Sequence, residues 1–261
     1  MDLEAAAALL GVHYQTAYRW VRTGELPAVR LGAGYDLDPD VVERVRRERL
    51  RRRPAPGGTG ADWKRELAAF AERLLGGMEG SARDQVERLQ GQGLTALDLC
   101  ERLIGPAVAR LDLERSAGRV LPAEVIAAAD LCERLLGTLA APGRGRPRGL
   151  AVVASPVGER HRLPSLMATA ALRGQRWRVQ HVGSGVPAGD LADFVDETQP
   201  DLVVLSVTMR EPAVHDFCAE VAGASAVPVL AGGAGQPLAG LLERAAAAVR
   251  AKRRGLVVSG V

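Results

Sequence analysis

Aromatic side chains are scarce: three tryptophans, three tyrosines and three phenylalanines make up 3 % of the 261 residues, so the cores must be built from aliphatic side chains. Cysteine is rarer still. Cys100, Cys132 and Cys218 are an odd number without C-x-x-C spacing, which argues against a disulfide framework and a structural zinc and leaves them as small buried hydrophobes. Long apolar runs are missing too. Stretches such as "LVVLSV" at 202–207 fall far short of the roughly 20 residues a bilayer span needs, and no basic-then-apolar segment opens the chain. A cytoplasmic protein without a membrane partner is expected. A formal net charge of +3 is too small to establish a nucleic-acid partner, although a pI near 9.0 permits one.

What charge there is, is concentrated. Residues 44–53, "RVRRERLRRR", set seven arginines against one glutamate, which reads either as a solvated helix end running into a linker or as an arm contacting phosphates. Two Pro/Gly-rich stretches, "PAPGGTG" and "APGRGRPRG", have the composition of linkers. They predict five segments: a DNA-binding-type helical head at 1–53, a linker at 54–61, a helical bundle at 62–140, a linker at 141–149 and an α/β domain at 150–261.

In the head, "DLEAAAALLG" and "HYQTAYRWVRTG" read as two helices, each ended by a glycine and joined by a tight turn, the geometry of a helix-turn-helix. In the middle segment, "DWKRELAAFAERLLGGM" opens on a good N-cap, Asp62, and "LDLCERLIG" at 97–105 returns as "ADLCERLLG" at 129–137. Both copies put Leu, Cys and Leu toward one face, as equivalent helices of a four-helix bundle would. In the last segment, apolar runs "LAVVA", "RVQHVG", "LVVLSV", "VPVLAGG" and "GLVVSG" alternate with amphipathic stretches. That predicts a doubly wound, Rossmann-like α/β domain with a five-stranded parallel sheet, whose ligand would sit at the carboxyl ends of the strands. The fold class expected is therefore multidomain: an α winged helix-turn-helix, an α four-helix bundle and an α/β layer.

The stretch "AAALLGVHYQTAYRWVRTGELPAVRLGAGYDLDPDVVERV" resembles the excisionase-like branch of the MerR-related DNA-binding domains. That resemblance implies a double-stranded DNA operator as partner. Tyr14, Gln15, Thr16, Tyr18 and Arg19 would lie on the recognition helix, Arg22 and Arg30 on the DNA backbone, and Trp20 in the core. "GAGYDLD" stands where wings of this group often carry basic residues.

The α/β segment lacks a carboxylate after its first strand, as a phospho-acceptor domain would need, and lacks G-x-G-x-x-G there, as a dinucleotide site would need. Its "SPVGERHRLPS", "LSVTM" and "LAGGAG" instead resemble the cobalamin-binding fold of corrinoid proteins and B12-dependent regulators, whose pattern is D-x-H-x-x-G, then S-x-L or S-x-T, then G-G. The resemblance implies adenosylcobalamin or methylcobalamin as cofactor. His161 would be the lower axial cobalt ligand and Glu159, in place of the Asp, its hydrogen-bonded support, with Pro164 where the pattern has Gly. Ser206 and Thr208 would face the nucleotide tail, and Gly232 and Gly233 would let it approach the backbone. His13, His181 and His215 lie outside the pattern and read as structural or exposed.

A bundle followed by this fold is also the arrangement of the light-sensing adenosylcobalamin repressors, in which a bundle Trp and a Glu-His pair cap the upper corrin face. In "LERSAGRVLPAEVIAAAD" those places fall on Arg115, Val125 and Ile126. The resemblances imply a cobalamin-sensing, homo-oligomeric transcriptional regulator and not an enzyme. Two alternatives stay open: a regulator whose degenerate B12-type domain binds another small molecule or serves only for association, and a corrinoid methyl-carrier subunit.

Overall fold

The computed structural model describes residues 1–10, 14–24, 26–31, 34–43, 45, 62–139, 145–208, 212–224, 226–233 and 236–253. The chain divides into two compact units, Met1–Gly60 and Ala61–Val261.

In the first unit, helix α1 (Leu3–Leu10) and helix α2 (Tyr14–Thr23) precede an antiparallel hairpin of β1 (Val29–Leu31) and β2 (Gly34–Asp36), in which Arg30 lies opposite Tyr35. Gly24 follows α2 at φ +77°, a conformation a side chain would resist, so the glycine stops the helix. The core is small and mainly aliphatic: Leu3, Ala6, Ala17, Leu26 and Leu37 close around Trp20, which is buried as the sequence predicted. Gly11, expected to end α1, and the linker at 54–61 lie outside the described residues.

The second unit begins with the bundle. Helix α3 (Trp63–Leu75) starts on Asp62, whose carboxylate accepts the Arg65 N–H, and α4 (Glu79–Gly91) folds back beside it. A buried Gln85 ties the pair together by donating to the Glu66 carbonyl and carboxylate. Helix α5 (Ala96–Leu99) opens on a reciprocal Thr95–Asp98 capping box and runs through a π-turn at Cys100–Ile104 into α6 (Gly105–Ser116). Pro106 explains the π-turn. In a regular helix its ring would meet the carbonyl four residues back, and widening the turn removes that clash. Helix α7 (Pro122–Leu139) completes four bundle rods.

The duplicated motif occupies matching places. Leu99, Cys100 and Leu103 of the first copy and Leu131, Cys132 and Leu135 of the second are all buried in one aliphatic core. The two cysteines are free, and burial pushes both thiols up to about 12, so they are inert apolar filling. The glutamates that follow them reach across to the α/β layer. Glu101 accepts the Ala239 N–H at 2.9 Å, and Glu133 pairs with Arg162 at 3.2 Å.

The α/β layer runs β3 (Leu150–Ser155), α8 (Leu163–Gly174), β4 (Arg178–Ser184), α9 (Ala188–Thr198), β5 (Leu202–Val207), α10 (Pro212–Ala224), β6 (Val229–Gly233) and α11 (Leu238–Arg253). Its parallel sheet has four strands among the described residues, in the order β4-β3-β5-β6; the expected fifth, "GLVVSG" at 255–260, lies outside them. Alternate side chains serve opposite faces. Val152, Ala154, Val203 and Leu205 pack with α9 and α10, while Ala151, Val153 and Val204 pack with α8 and α11. Leu163 and Ala170 of α8 join the bundle core, so α8 is shared between the two layers of this unit. Strand order reverses between β3 and β5, which places a topological switch point at their carboxyl ends. Among the described residues, no helix is long and apolar enough to cross a membrane.

Candidate functional site

The loop after β3 is shaped by one glycine. Gly158 takes φ +90°, and the Glu159 N–H donates to the Pro156 carbonyl at 3.1 Å. This turn folds Glu159 inward, where its side chain is fully buried, while His161 two residues on is about two-thirds exposed, at 66 %. α8 then begins at Leu163, with Pro164 in its first turn. A proline is tolerated there because the first helical N–H groups have no intrahelical acceptor. The loop therefore needs no glycine at 164 to enter the helix.

Across the switch point, Thr208 follows the end of β5. Its backbone N–H and its hydroxyl both donate to Glu159 Oε2, at 2.8 and 2.6 Å. The His161 backbone N–H donates to Glu159 Oε1 at 2.9 Å, and ring Nδ1 lies 2.8 Å from the same oxygen and 2.9 Å from Thr208 Oγ1. The tautomer follows. The hydroxyl proton is committed to Oε2 and an ionised carboxylate only accepts, so in the neutral form of the ring the proton sits on Nδ1 and the lone pair on Nε2. Burial acts to raise the Glu159 pKa, but the Thr208 hydroxyl, the two backbone N–H groups and the imidazole outweigh it and hold the carboxyl at about 2.

His161 lines a cavity of about 1150 Å³ between the strand ends and the bundle, somewhat above the roughly 300–1,000 Å³ typical of small-molecule sites. Ser206, Thr208, Gly232 and Gly233 line it too, and so do Arg115, Val125 and Ile126 on the bundle side. Ser206 is buried, and it pairs with Gly232 as Val207 pairs with Gly233. The two glycines differ in kind. A Cβ on Gly233 would fall inside the Val207 carbonyl group, whereas one on Gly232 would meet only ordinary contacts, the nearest 3.6 Å away on Leu241.

The sequence pattern did not single out Arg160, Arg162, Asp112 or Asp130, which also border the cavity, nor Ser155. The Ser155 hydroxyl, at the carboxyl end of β3, is buried without a hydrogen-bond partner among the described residues. Its position at the end of a central strand was the available signal. His181 lies outside the cavity lining, with ring Nε2 3.0 Å from Ser165 Oγ; burial, then Arg162 and Arg173, lowers its pKa. His13 and the His215 side chain lie outside the described residues.

In the head, Tyr14, Tyr18 and Arg22 recur at i, i+4 and i+8 and so form one stripe of α2. Tyr14 stacks on Tyr18, whose ring meets Tyr35 edge-on, and Arg22 and Arg30 are exposed. The Gln15, Thr16 and Arg19 side chains lie outside the described residues.

Residues 1–51 match the helix-turn-helix domain family and residues 149–255 the B12 binding domain family. The chain thus carries a helix-turn-helix domain at its amino end and a B12 binding domain toward its carboxyl end. It is similar to the HTH-type transcriptional repressor CarA of Myxococcus xanthus, 28 % identical over 179 residues covering 63 % of this chain and 59 % of the repressor. The chain therefore spans less than two thirds of that relative's length. Among solved structures, the monomethylamine corrinoid protein of Methanosarcina barkeri shares the fold at a TM-score of 0.56 and 13 % identity, over 74 % of this chain and 99 % of that one.

The residues present fit a cobalamin. An imidazole whose Nδ1 faces a buried carboxylate and whose Nε2 makes no hydrogen bond among the described residues is the donor arrangement transition metals use. The ring borders a cavity of about 1150 Å³ that is lined as well by Ser206, Thr208, Gly232 and Gly233.

Proposed function

We propose that the chain is a DNA-binding transcriptional regulator, not an enzyme, that senses a cobalamin in this cavity. The observation that carries the reading is the Thr208–Glu159–His161 cluster, with Nε2 uncommitted at the cavity, in a chain that also carries a helix-turn-helix domain. A bound cobalamin would supply a light-absorbing cobalt centre. In this reading His161 Nε2 would hold the cobalt. Glu159 keeps the imidazole proton on Nδ1 and raises the ring's basicity, and Thr208 keeps Glu159 ionised and in place. Ser206, Gly232 and Gly233 border the nucleotide tail.

The head reads an operator through α2. Tyr14, Tyr18 and Arg19, with Gln15 and Thr16, face base edges or flanking phosphates, and Arg22 and Arg30 hold the backbone. Occupancy of the cavity changes how copies of the chain associate, and so the spacing and affinity of paired heads.

Purified protein incubated with hydroxo-, methyl- or adenosylcobalamin is expected to keep a corrin absorbance band through gel filtration, with the visible maxima shifted in His161→Ala. A protein that elutes without corrin in all three cases would refute the reading. Arg22→Ala is expected to weaken DNA binding evenly across sequences and to reduce the log–log salt slope by about one, whereas Arg19→Ala relaxes sequence preference. Unchanged binding in both variants would put a different element in the groove.

A further inference from the structure

We infer that the edge of the α/β layer where β3 and β4 begin, at Arg146, Arg176 and Arg178, is a second surface for duplex DNA, one that grips the phosphate backbone without reading bases. The inference rests on the DNA-binding reading just proposed and is independent of the cobalamin one.

The charge stands in two short stretches. "GRGRPRG" at 143–149 and "RGQRWR" at 173–178 carry six arginines and no acid, in a chain whose formal balance is only +3. The fold brings the two stretches together. The Arg148 N–H donates to the Arg176 carbonyl and the Arg178 N–H to the Gly149 carbonyl, each at 3.0 Å, and Leu150 then pairs with Arg178 as the strands begin. A Cβ on Gly145 would sit 3.2 Å from an Arg176 guanidinium nitrogen, so that side chain lies over the first stretch.

This edge is firm. Trp177, one of only three tryptophans, is buried in the sheet core between the exposed Arg176 and Arg178 and holds both on a fixed frame. Arg173 steadies the turn by donating to the Val179 carbonyl at 3.3 Å, and Arg148 reaches the Gln175 side chain at the same distance. Arg146, Arg176 and Arg178 are exposed and make no ion pair among the described residues. The acid of the neighbouring turn, Asp201, is engaged with the Leu150 N–H at 2.8 Å.

Three guanidiniums on a rigid edge, none held by a carboxylate, suit an extended polyanion. Each can present two parallel N–H donors to one phosphate, which a lysine cannot do. The helix-turn-helix domain of the same chain makes duplex DNA that polyanion. Contact here also leaves the ligand site open, because the cavity lies at the opposite, carboxyl ends of the strands.

Binding of full-length protein, without corrin, to a fluorescent mixed-sequence duplex of about 40 base pairs is measured between about 50 and about 200 mM salt. The triple variant Arg146→Gln, Arg176→Gln, Arg178→Gln is expected to lower the log–log salt slope by about two to three and to weaken binding about ten-fold or more at low salt, evenly across sequences. The same three positions changed to Lys are expected to keep the slope, because they keep the charge. Lys64→Gln, Arg65→Gln, Arg110→Gln, which removes three exposed cations of the bundle instead, is expected to leave the slope unchanged. A wild-type slope in the triple glutamine variant would overturn the inference, as would an equal fall in the bundle variant or in the lysine variant. If Arg22→Ala still weakens binding in those cases, the head's reading stands without it. A wild-type protein that binds no duplex would refute the DNA-binding reading, and the inference with it.

Discussion

Gly233→Ala is expected to destabilise the second unit by about 3 kcal/mol or more, the largest effect of any single methyl addition near the site. The cause is backbone against backbone. The new Cβ would fall inside the carbonyl group of Val207, its register partner on β5, and no rotamer change relieves a clash with a main-chain atom. Overpacking against side chains costs about 1–3 kcal/mol because they can shift; here two paired strands must part. For a unit of this size that lowers the melting temperature by roughly 6–12 °C. Gly232→Ala is the matched control. Its nearest neighbours are 3.6 Å or more away and belong to side chains, so thermal unfolding is expected to sit within about 0.5 kcal/mol of wild type. Equal melting temperatures for the two variants would contradict this account of why the pair of glycines is there.

Glu159→Ala comes second. Removing the carboxylate strips the acceptor from the Thr208 N–H and hydroxyl, the His161 N–H and the imidazole Nδ1–H together. At about 1–3 kcal/mol for each buried donor left unsatisfied, with water recovering part of it, a loss of about 2–4 kcal/mol is expected. The His161 ring would also lose the partner that fixes its tautomer. The isosteric Glu159→Gln isolates the charge. The folded carboxyl sits at about 2 against an ordinary value near 4.5, so the folded protein takes up this proton less readily than the unfolded chain does. Its stabilising contribution is complete above about pH 4.5 and is lost as the pH falls from there toward 2. The stability gap between wild type and Glu159→Gln should therefore narrow over that interval in acid-unfolding measurements. A gap that stays constant from pH 6 to pH 3 would mean the carboxylate is not held in the way described.

Much of this was legible along the chain. The change of hydrophobic period separated helical from α/β sequence, because a strand covered on both faces has to be apolar throughout, as "LVVLSV" is. Asp62 announced the start of α3, and the repeated Leu-Cys-Glu-Arg-Leu stretches announced equivalent buried faces. Trp20 was readable as core, since in a chain with so few aromatics a large ring opposite the polar stripe of α2 has nowhere else to be buried. His161 was picked out by the resemblance of its loop to the cobalamin-binding pattern.

The sequence could not say what Thr208 does. It lies 49 residues from Glu159, and only the parallel pairing of β3 with β5 brings its hydroxyl to the carboxylate. Nor could it separate Gly232 from Gly233, because the difference is the distance to a neighbouring strand. Pro164 looked like a break in the pattern until α8 was seen to start one residue earlier, where a missing N–H costs nothing.

Local chemistry along the chain thus determined which segments became helix or strand, because periodicity, caps and turn residues act over a few positions. Only the tertiary structure decided the rest. The hold of Thr208 on Glu159, the Glu133–Arg162 pair and the cavity between the strand ends and the bundle all depend on atoms from separate elements meeting within 3 Å or so, and no local rule encodes such meetings.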